Sequence, residues 1–440
     1  QITLVSADIS GAPVVHIPAI LDRLSIKGLD KSRVCFNATH THNSTLFSAN
    51  TTRVTYFEKR LGEELCPVYE EPTDILKDDE LAEFFIDKMV ALITSAWAAR
   101  APGGISLAQD YAAVAHNRRP QFFRQDGTRE SRMYGACSAE NFAGFEGTSD
   151  HSADMLYTWN QNNDLTGVAV CIPCPSQVYE LHDFLSADYW GNARSHIRES
   201  LGNVFVLPMC GPAGDQNPLD LIRLSKTNEE TLRIWNAQER AVFRNFDMFE
   251  ECDGIGQRVA EAVTRGYRRA RNNIQTSPAF RSERFEMSVP LRRVSDTDYL
   301  EAKKRVDEEK AKHSPENRFT EAETIRLFEP LGVINRWERQ QSASTLSFPV
   351  FVFRIGKAAF ATNPFELYCE YGFRIKACCK ATQTILIQLS SNANLNYLPT
   401  QAAVDGGSYG SKPVSTQAGP EGGNALVKKT IEAINKLFEA

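Results

Sequence analysis

The sequence predicts an α+β fold: a single large domain whose central mixed β-sheets, sandwich-like, are flanked by helices and interrupted by helical insertions. Three observations carry this. Strand-like and helix-like segments alternate through the first two thirds of the chain, and strands return in the last third. The 440 residues are 42% hydrophobic and 24% charged, an ordinary composition for one large core. No internal repeat and no low-complexity linker divides them.

Ile2 to Ala7 and Val34 to Ala38 read as buried strands, with an amphipathic stretch, Ile17 to Ile26, between them. Asp79 to Ala99 has a helical period, and Ile105 to Ala115 reads as strand. Asp154 to Cys171 reads as a hairpin turning at Asn162-Asn163-Asp164, and Val204 to Pro208 as a short apolar strand. Phe249 to Arg271 and Asp296 to Lys312 read as helices, the second with the Glu and Lys spacing of an exposed face. Residues from about 296 to 343, punctuated by Ser314-Pro315-Glu316-Asn317, form a helical insertion. Strands follow at Phe285 to Val289 before it, and at Leu346 to Ile355, Ala358 to Ala361 and Thr384 to Leu389 after it. A Gly-rich loop, Val404 to Gly423, leads to a final helix from Ala425 to Leu437. The whole chain, 1–440, is expected to be one domain.

A formal net charge of −6 argues against nucleic-acid binding, which needs a concentrated basic surface. Arg268-Arg269 with Arg271, and Lys303-Lys304-Arg305, lie in helical stretches that also carry acids and read as solvated faces. No run approaches the roughly 18 apolar residues of a membrane-spanning helix. The opening Gln-Ile-Thr-Leu-Val-Ser-Ala-Asp has no basic n-region and starts almost at once on a strand, which leaves a truncated native start open. The ten cysteines are scattered through apolar runs as buried free thiols, and Cys171-Ile172-Pro173-Cys174 lacks the second pair of a zinc ribbon. These features favour a cytoplasmic location, with secretion open if the start is truncated.

The chemistry begins at Thr39-His40-Thr41-His42, directly after the strand Arg33 to Ala38. If extended backbone persists, residues two apart face one side, so both imidazoles would enter one cleft. That arrangement suits a metal ligand beside a proton shuttle; the plainer reading is a pair of hydrogen-bonded surface histidines. His182 lies beyond the strand ending near Cys174. Arg118-Arg119, after Asn117, could hold an anionic group. The turn Thr362-Asn363-Pro364-Phe365 presents Glu366 at a sheet end.

In chain order, Thr39-His40-Thr41-His42, Gly214-Asp215-x-x-Pro218, Asn363-Pro364-Phe365-Glu366 and the Tyr397 to Tyr409 segment resemble the neutral/alkaline, non-lysosomal ceramidase family in its N-terminal catalytic domain. The resemblance spans nearly the whole chain. Asn117-Arg118-Arg119, Asp126-Gly127, Met133-Tyr134-Gly135, Glu146-Gly147 and Asp150 are similar to bacterial members, and the family's C-terminal immunoglobulin-like domain is expected to be lacking. The resemblance implies one zinc ion held by His40, Glu366 and Tyr397, with a second active-site tyrosine twelve residues on, at Tyr409 (409 − 397 = 12). The family's second zinc histidine belongs to a His-Pro segment, where this chain has Cys174-Pro175. That leaves Cys174 or His182, and His182 is the expected ligand because a thiolate beside Glu and Tyr oxygens would be unusual.

The other departure is at Gly214-Asp215-Gln216-Asn217-Pro218, where Asn217 stands at the position of the family's attacking serine. An amide cannot be that nucleophile, which implies attack by metal-activated water. His42 is then the expected proton carrier and Tyr409 the oxyanion donor. Gln216 and Asn217 would orient the scissile group, and Asn117, Arg118 and Arg119 would bind substrate. The expected activity is zinc-dependent hydrolysis of a linear amide in a small-molecule or lipid-like N-acyl substrate. A metal-dependent esterase or deacetylase on a sugar-type substrate, and a non-catalytic binding homologue, are the alternatives.

Overall fold

Along the strand Leu165–Ile172, Val168, Val170 and Ile172 face one way while Ala169 and Cys171 face the other, and all five lie against apolar neighbours. This two-residue alternation, buried on both faces, requires a layer above and a layer below. The computed structural model, which describes residues 1–45, 51–68, 74, 76–180, 182–225, 233–235, 241–243, 247–393 and 395–439, supplies both.

Two four-stranded sheets stack face to face. The first has the order Phe205–Cys210, Leu165–Ile172, Ser152–Trp159, Gly104–Tyr111, with only its first pair parallel. The second runs Phe280–Pro290, Thr345–Ile355, Ala358–Thr362, Gln383–Ile387, with only its last pair parallel. Between them Leu156, Cys171 and Met209 meet Phe353, Phe360, Ile385 and Ile387. Phe353 and Phe360 stack with ring centroids 4.4 Å apart, and each contributes on the order of 1.5–3 kcal/mol by leaving water.

Helices close the outer faces. Tyr189–Leu201 and Met248–Ala270 cover the first sheet, the latter through Cys252, Ile255, Val259 and Val263 at helical spacing. Its N-terminus is capped by the Asp247 carboxylate, which accepts from the Phe249 and Glu250 amides. Cys369–Cys378 and the final helix Pro420–Lys436 cover the second sheet. The expected α+β sandwich with flanking helices is therefore the observed one. The helices Asp296–Lys310, Glu321–Arg326 and Phe328–Ser342 lie between two antiparallel neighbours of the second sheet and close on a core of their own with Phe57 and Leu61.

One expectation is corrected. The stretch Val404 to Gly423 is not a continuous loop, because Gln401–Gly406 is helical, Pro413–Ser415 forms a 3-10 turn, and the final helix starts at Pro420. Proline at the first helical position needs no amide donor and brings a helix-ready φ, which outweighs the glycines that follow it.

The two helices over the first sheet cross closely at Gly256, where a Cβ would lie 2.6 Å from Asn192 Cβ and 2.8 Å from the Ala193 nitrogen. Gly256→Ala is expected to cost about 1–3 kcal/mol by forcing the helices apart, measured by urea denaturation; unchanged stability would show that this crossing is not tight.

Candidate active site

The parallel strands end at one end of the sandwich, and the loops that leave them are bonded to one another. The Ser176 hydroxyl donates to the Thr39 carbonyl at 2.9 Å, and the His42 amide to the Ser176 carbonyl at 3.0 Å. The Gly214 amide donates to the Leu367 carbonyl at 2.8 Å. Residues 216–217 pair antiparallel with 116–117, and Glu366–Leu367 pair in parallel with Tyr397–Leu398. Glu366 is thus the direct neighbour of Tyr397, and its amide donates to the Asn396 carbonyl.

His40 and His42 do not share a cleft by strand alternation. The strand ends at Ala38, and His40 adopts φ 62°, a left-handed conformation that is strained for a histidine. That turn brings the two rings edge to face, with centroids 4.8 Å apart. His40 Nδ1 is held by the Ser10 carbonyl, and its Nε2 lies 3.3 Å from Glu366 Oε2. Burial opposes protonation of His40, but Glu366 and the Ser10 carbonyl outweigh it and raise the imidazole above its usual range. Glu366 moves the other way: burial works to raise it, while His40, Arg118 and Tyr397 hold it below the usual carboxylate range.

His42 is oriented from behind by Glu180, whose Oε1 lies 3.1 Å from Nδ1. Its Nε2 is buried without a hydrogen-bond partner. Burial lowers the His42 pKa despite Glu180, so this imidazole gives up its proton more readily than His40. Glu180 is itself tied to Gln177, which also donates to the Tyr134 hydroxyl at 2.8 Å. Sequence reasoning missed Glu180 and Gln177 and gave Tyr134 no role, because Glu180 lies 138 residues from His42 and no spacing rule links them.

The adjacent arginines separate. Arg118 is buried and donates through Nη2 to the Tyr397 hydroxyl at 3.0 Å and the Gly214 carbonyl at 2.9 Å, so it joins the His40 group. Arg119 points elsewhere: it bonds Glu146 at 2.8 Å and the carbonyls of Ala403, Gly407 and Tyr409 at 3.1, 2.6 and 2.7 Å. Arg119 therefore clasps the turn that presents Tyr409, whose ring stands edge to face on Tyr397 with centroids 5.4 Å apart. Asn117 donates to Asp215 and accepts from the Arg119 amide.

Asn217 is buried, its side-chain oxygen accepting from the Leu219 amide at 2.5 Å. Gln216 donates to the Thr148 carbonyl, while its own oxygen is buried and unpaired. Cys174 packs into the core under the first sheet, where burial holds its thiol protonated. Cys171 faces the opposite side of its strand, and both thiols are free. The His182 ring stacks on Phe184 at 5.5 Å and borders Tyr179 and Phe249. Among the described residues no three His, Cys, Asp or Glu side chains come together as a metal-holding group, so His182 does not join His40 and Glu366. The third donor beside that pair is the Tyr397 hydroxyl.

The His40–Glu366 pair has a pH signature. The raised His40 stabilises the fold below its unfolded pKa and loses that contribution as pH rises through the folded value. The lowered Glu366 contributes above its unfolded pKa and loses it as pH falls through the folded value. The pair is therefore strongest in mildly acidic solution. In chelator-treated protein, Glu366→Gln is expected to cost more stability at about pH 6 than at about pH 9; equal losses in urea denaturation at the two values would contradict a charged pair.

No protein-family model and no curated protein sequence matches this chain. Solved structures do. A structure described as a ceramidase complexed with C2 superposes with a TM-score of 0.63 at 15% identity, over 99% of this chain and 67% of its own. The neutral ceramidase from Pseudomonas aeruginosa gives 0.62 and 15%, over 99% of this chain and 66% of its own. In its fold, this chain is the counterpart of about two thirds of a bacterial neutral ceramidase.

Proposed function

We propose that this chain is a hydrolase of linear amides, ceramidase-like in its N-acyl substrate, with a zinc centre on His40, Glu366 and Tyr397. One observation carries the reading: a histidine nitrogen, a carboxylate and a phenol meet at one point, each fixed from behind. The Ser10 carbonyl fixes the His40 ring with Nε2 toward Glu366, and backbone pairing sets Glu366 beside Tyr397. One nitrogen and two oxygens suit zinc, and catalytic zinc takes three protein ligands with a position left open. The donor set fits that pattern without His182 or Cys174. When bound, zinc supplies a Lewis acid that makes water nucleophilic near neutral pH and polarises the substrate carbonyl.

The chain's own groups divide the remaining work. The Glu180 carboxylate holds the proton of His42 on Nδ1, which leaves the Nε2 lone pair free to take a proton from the attacking water. His42 then returns that proton to the departing amine nitrogen as the C–N bond breaks. Tyr409, half exposed at the rim, donates to the developing oxyanion. Arg118 keeps a positive charge against Tyr397 and Glu366, which holds both as acceptors. Gln216, with its unpaired oxygen, orients the substrate amide N–H. Asn217 is occupied by the Leu219 amide, so it shapes the wall and attacks nothing. Arg119 and Asn117 keep the Tyr409 turn and the Asp215 loop in place.

Metal analysis with hydrolysis of a panel of N-acyl amides and acyl esters tests this. Wild type is expected to hold one zinc per chain and cleave amides. His40→Ala is expected to lose the metal and the activity together. His42→Ala should retain the metal with activity down about 10²–10⁴-fold, and Tyr409→Phe should cost about 10–10³-fold in kcat. A metal-free wild type whose activity equals that of His40→Ala and Glu366→Gln would sink the reading.

A further inference from the structure

We propose that Arg292, Arg336 and Arg339 form a binding site for a phosphate-class oxyanion, outside the His40 group and against the turn Ser411 to Gln417. Two elements bring these three guanidiniums together. Arg292 follows the strand Phe280–Pro290, and Arg336 and Arg339 sit three apart on the helix Phe328–Ser342, hence on one face. All three grip the same turn. Arg292 donates to the Ser411 carbonyl and, at 2.7 Å, to the Thr416 hydroxyl. Arg336 Nε donates to the Thr416 carbonyl at 2.6 Å, and Arg339 to the Gln417 side-chain oxygen.

These acceptors are neutral and use only part of what three guanidiniums offer, five N–H donors each. Among the described residues none of the three is paired with a carboxylate, and the acids nearby are engaged elsewhere: Glu338 with Arg60 and Glu329 with Lys412. Glu421 is a further acid whose charge reaches Arg292; the two flank Gly419, where a Cβ would meet Glu421 Oε2 at 3.2 Å and Arg292 Cγ at 3.7 Å. One acid against three cations leaves an excess of positive charge. Burial first, then the charge of Arg339 and to a smaller extent that of Arg292, push the Arg336 guanidinium down to about 10 against the opposing effect of Tyr56. The final helix adds to this field. It begins at Pro420 beside Arg292, and its N-cap, Gly419, offers no side-chain cap.

Arginine forks match tetrahedral oxyanions, and the clustered charge favours a dianion. The shared chemistry is a phosphate, free or on a lipid headgroup. Its position has a consequence for the loop: Arg292 holds the Ser411 carbonyl while Arg119 holds the Tyr409 carbonyl two residues earlier, so an anion here would stiffen the turn that presents Tyr409.

The test uses the full chain. Thermal unfolding and calorimetric titration with sodium phosphate are compared with sodium chloride at equal ionic strength. Co-sedimentation is run with phosphatidylcholine vesicles, with and without phosphatidic acid. Phosphate is expected to raise the melting temperature by several degrees, and Arg336→Gln and the exposed Arg339→Gln to weaken its binding tenfold or more, with His40→Ala unaffected. Arginine-dependent binding to phosphatidic acid vesicles alone would assign the headgroup as the source. Phosphate no more stabilising than chloride, with no arginine-dependent vesicle binding, would overturn the site. So would wild-type affinity in both arginine variants, or loss of phosphate binding in His40→Ala.

Discussion

The side chain of Gln388 is the constraint on which the candidate site depends. Buried at the end of the strand Gln383–Ile387, its oxygen accepts from the Ala213 amide at 3.0 Å and the Leu367 amide at 2.9 Å. Ala213 belongs to the loop leaving the first sheet and Leu367 to the loop leaving the second. A single carbonyl oxygen therefore ties the two halves of the sandwich where their strands end. In an apolar interior, two amides without that acceptor would each cost about 1–3 kcal/mol, so the loops have little freedom to separate. Glu366 and the Gly214–Pro218 turn take their positions from this junction.

Around the junction the charges are arranged so that neighbours in sequence do different work. Arg118 and Arg119 point to opposite sides, one into the His40 group and one into the Tyr409 turn. His40 and His42 are separated in the same way, the first drawn toward the charged form by Glu366 and the second toward the neutral form by burial. Two imidazoles 4.8 Å apart would repel if both were charged, and this division removes the conflict. The left-handed backbone at His40 makes the division possible, because an extended chain would have turned both rings the same way.

Much of the fold was legible because it rests on local pattern. The strands around Val168 and Val352 and the helix from Met248 to Ala270 announce themselves by two-residue and helical periods. The hairpin at Asn160 to Asp164 shows its turn residues directly, with Asn163 at φ 63°. The start of the final helix was misplaced because the glycines of Gly419 to Gly423 conceal a proline that begins the helix well. His40, Glu366 and Tyr397 were legible as motif residues, and the structure places them side by side.

By itself the sequence determined the order of strands and helices, the histidine run after a buried strand, and the offset from Tyr397 to Tyr409. Each of these is a matter of neighbours along the chain. Tertiary structure alone decided that Glu180 backs His42, that Arg119 clasps the Tyr409 turn, and that His182 stacks on Phe184 rather than turning to Glu366. Those outcomes depend on which loop ends meet when two sheets stack. A side chain's partner across such a junction is set by register and packing, which leave no periodic trace in the residues that make it.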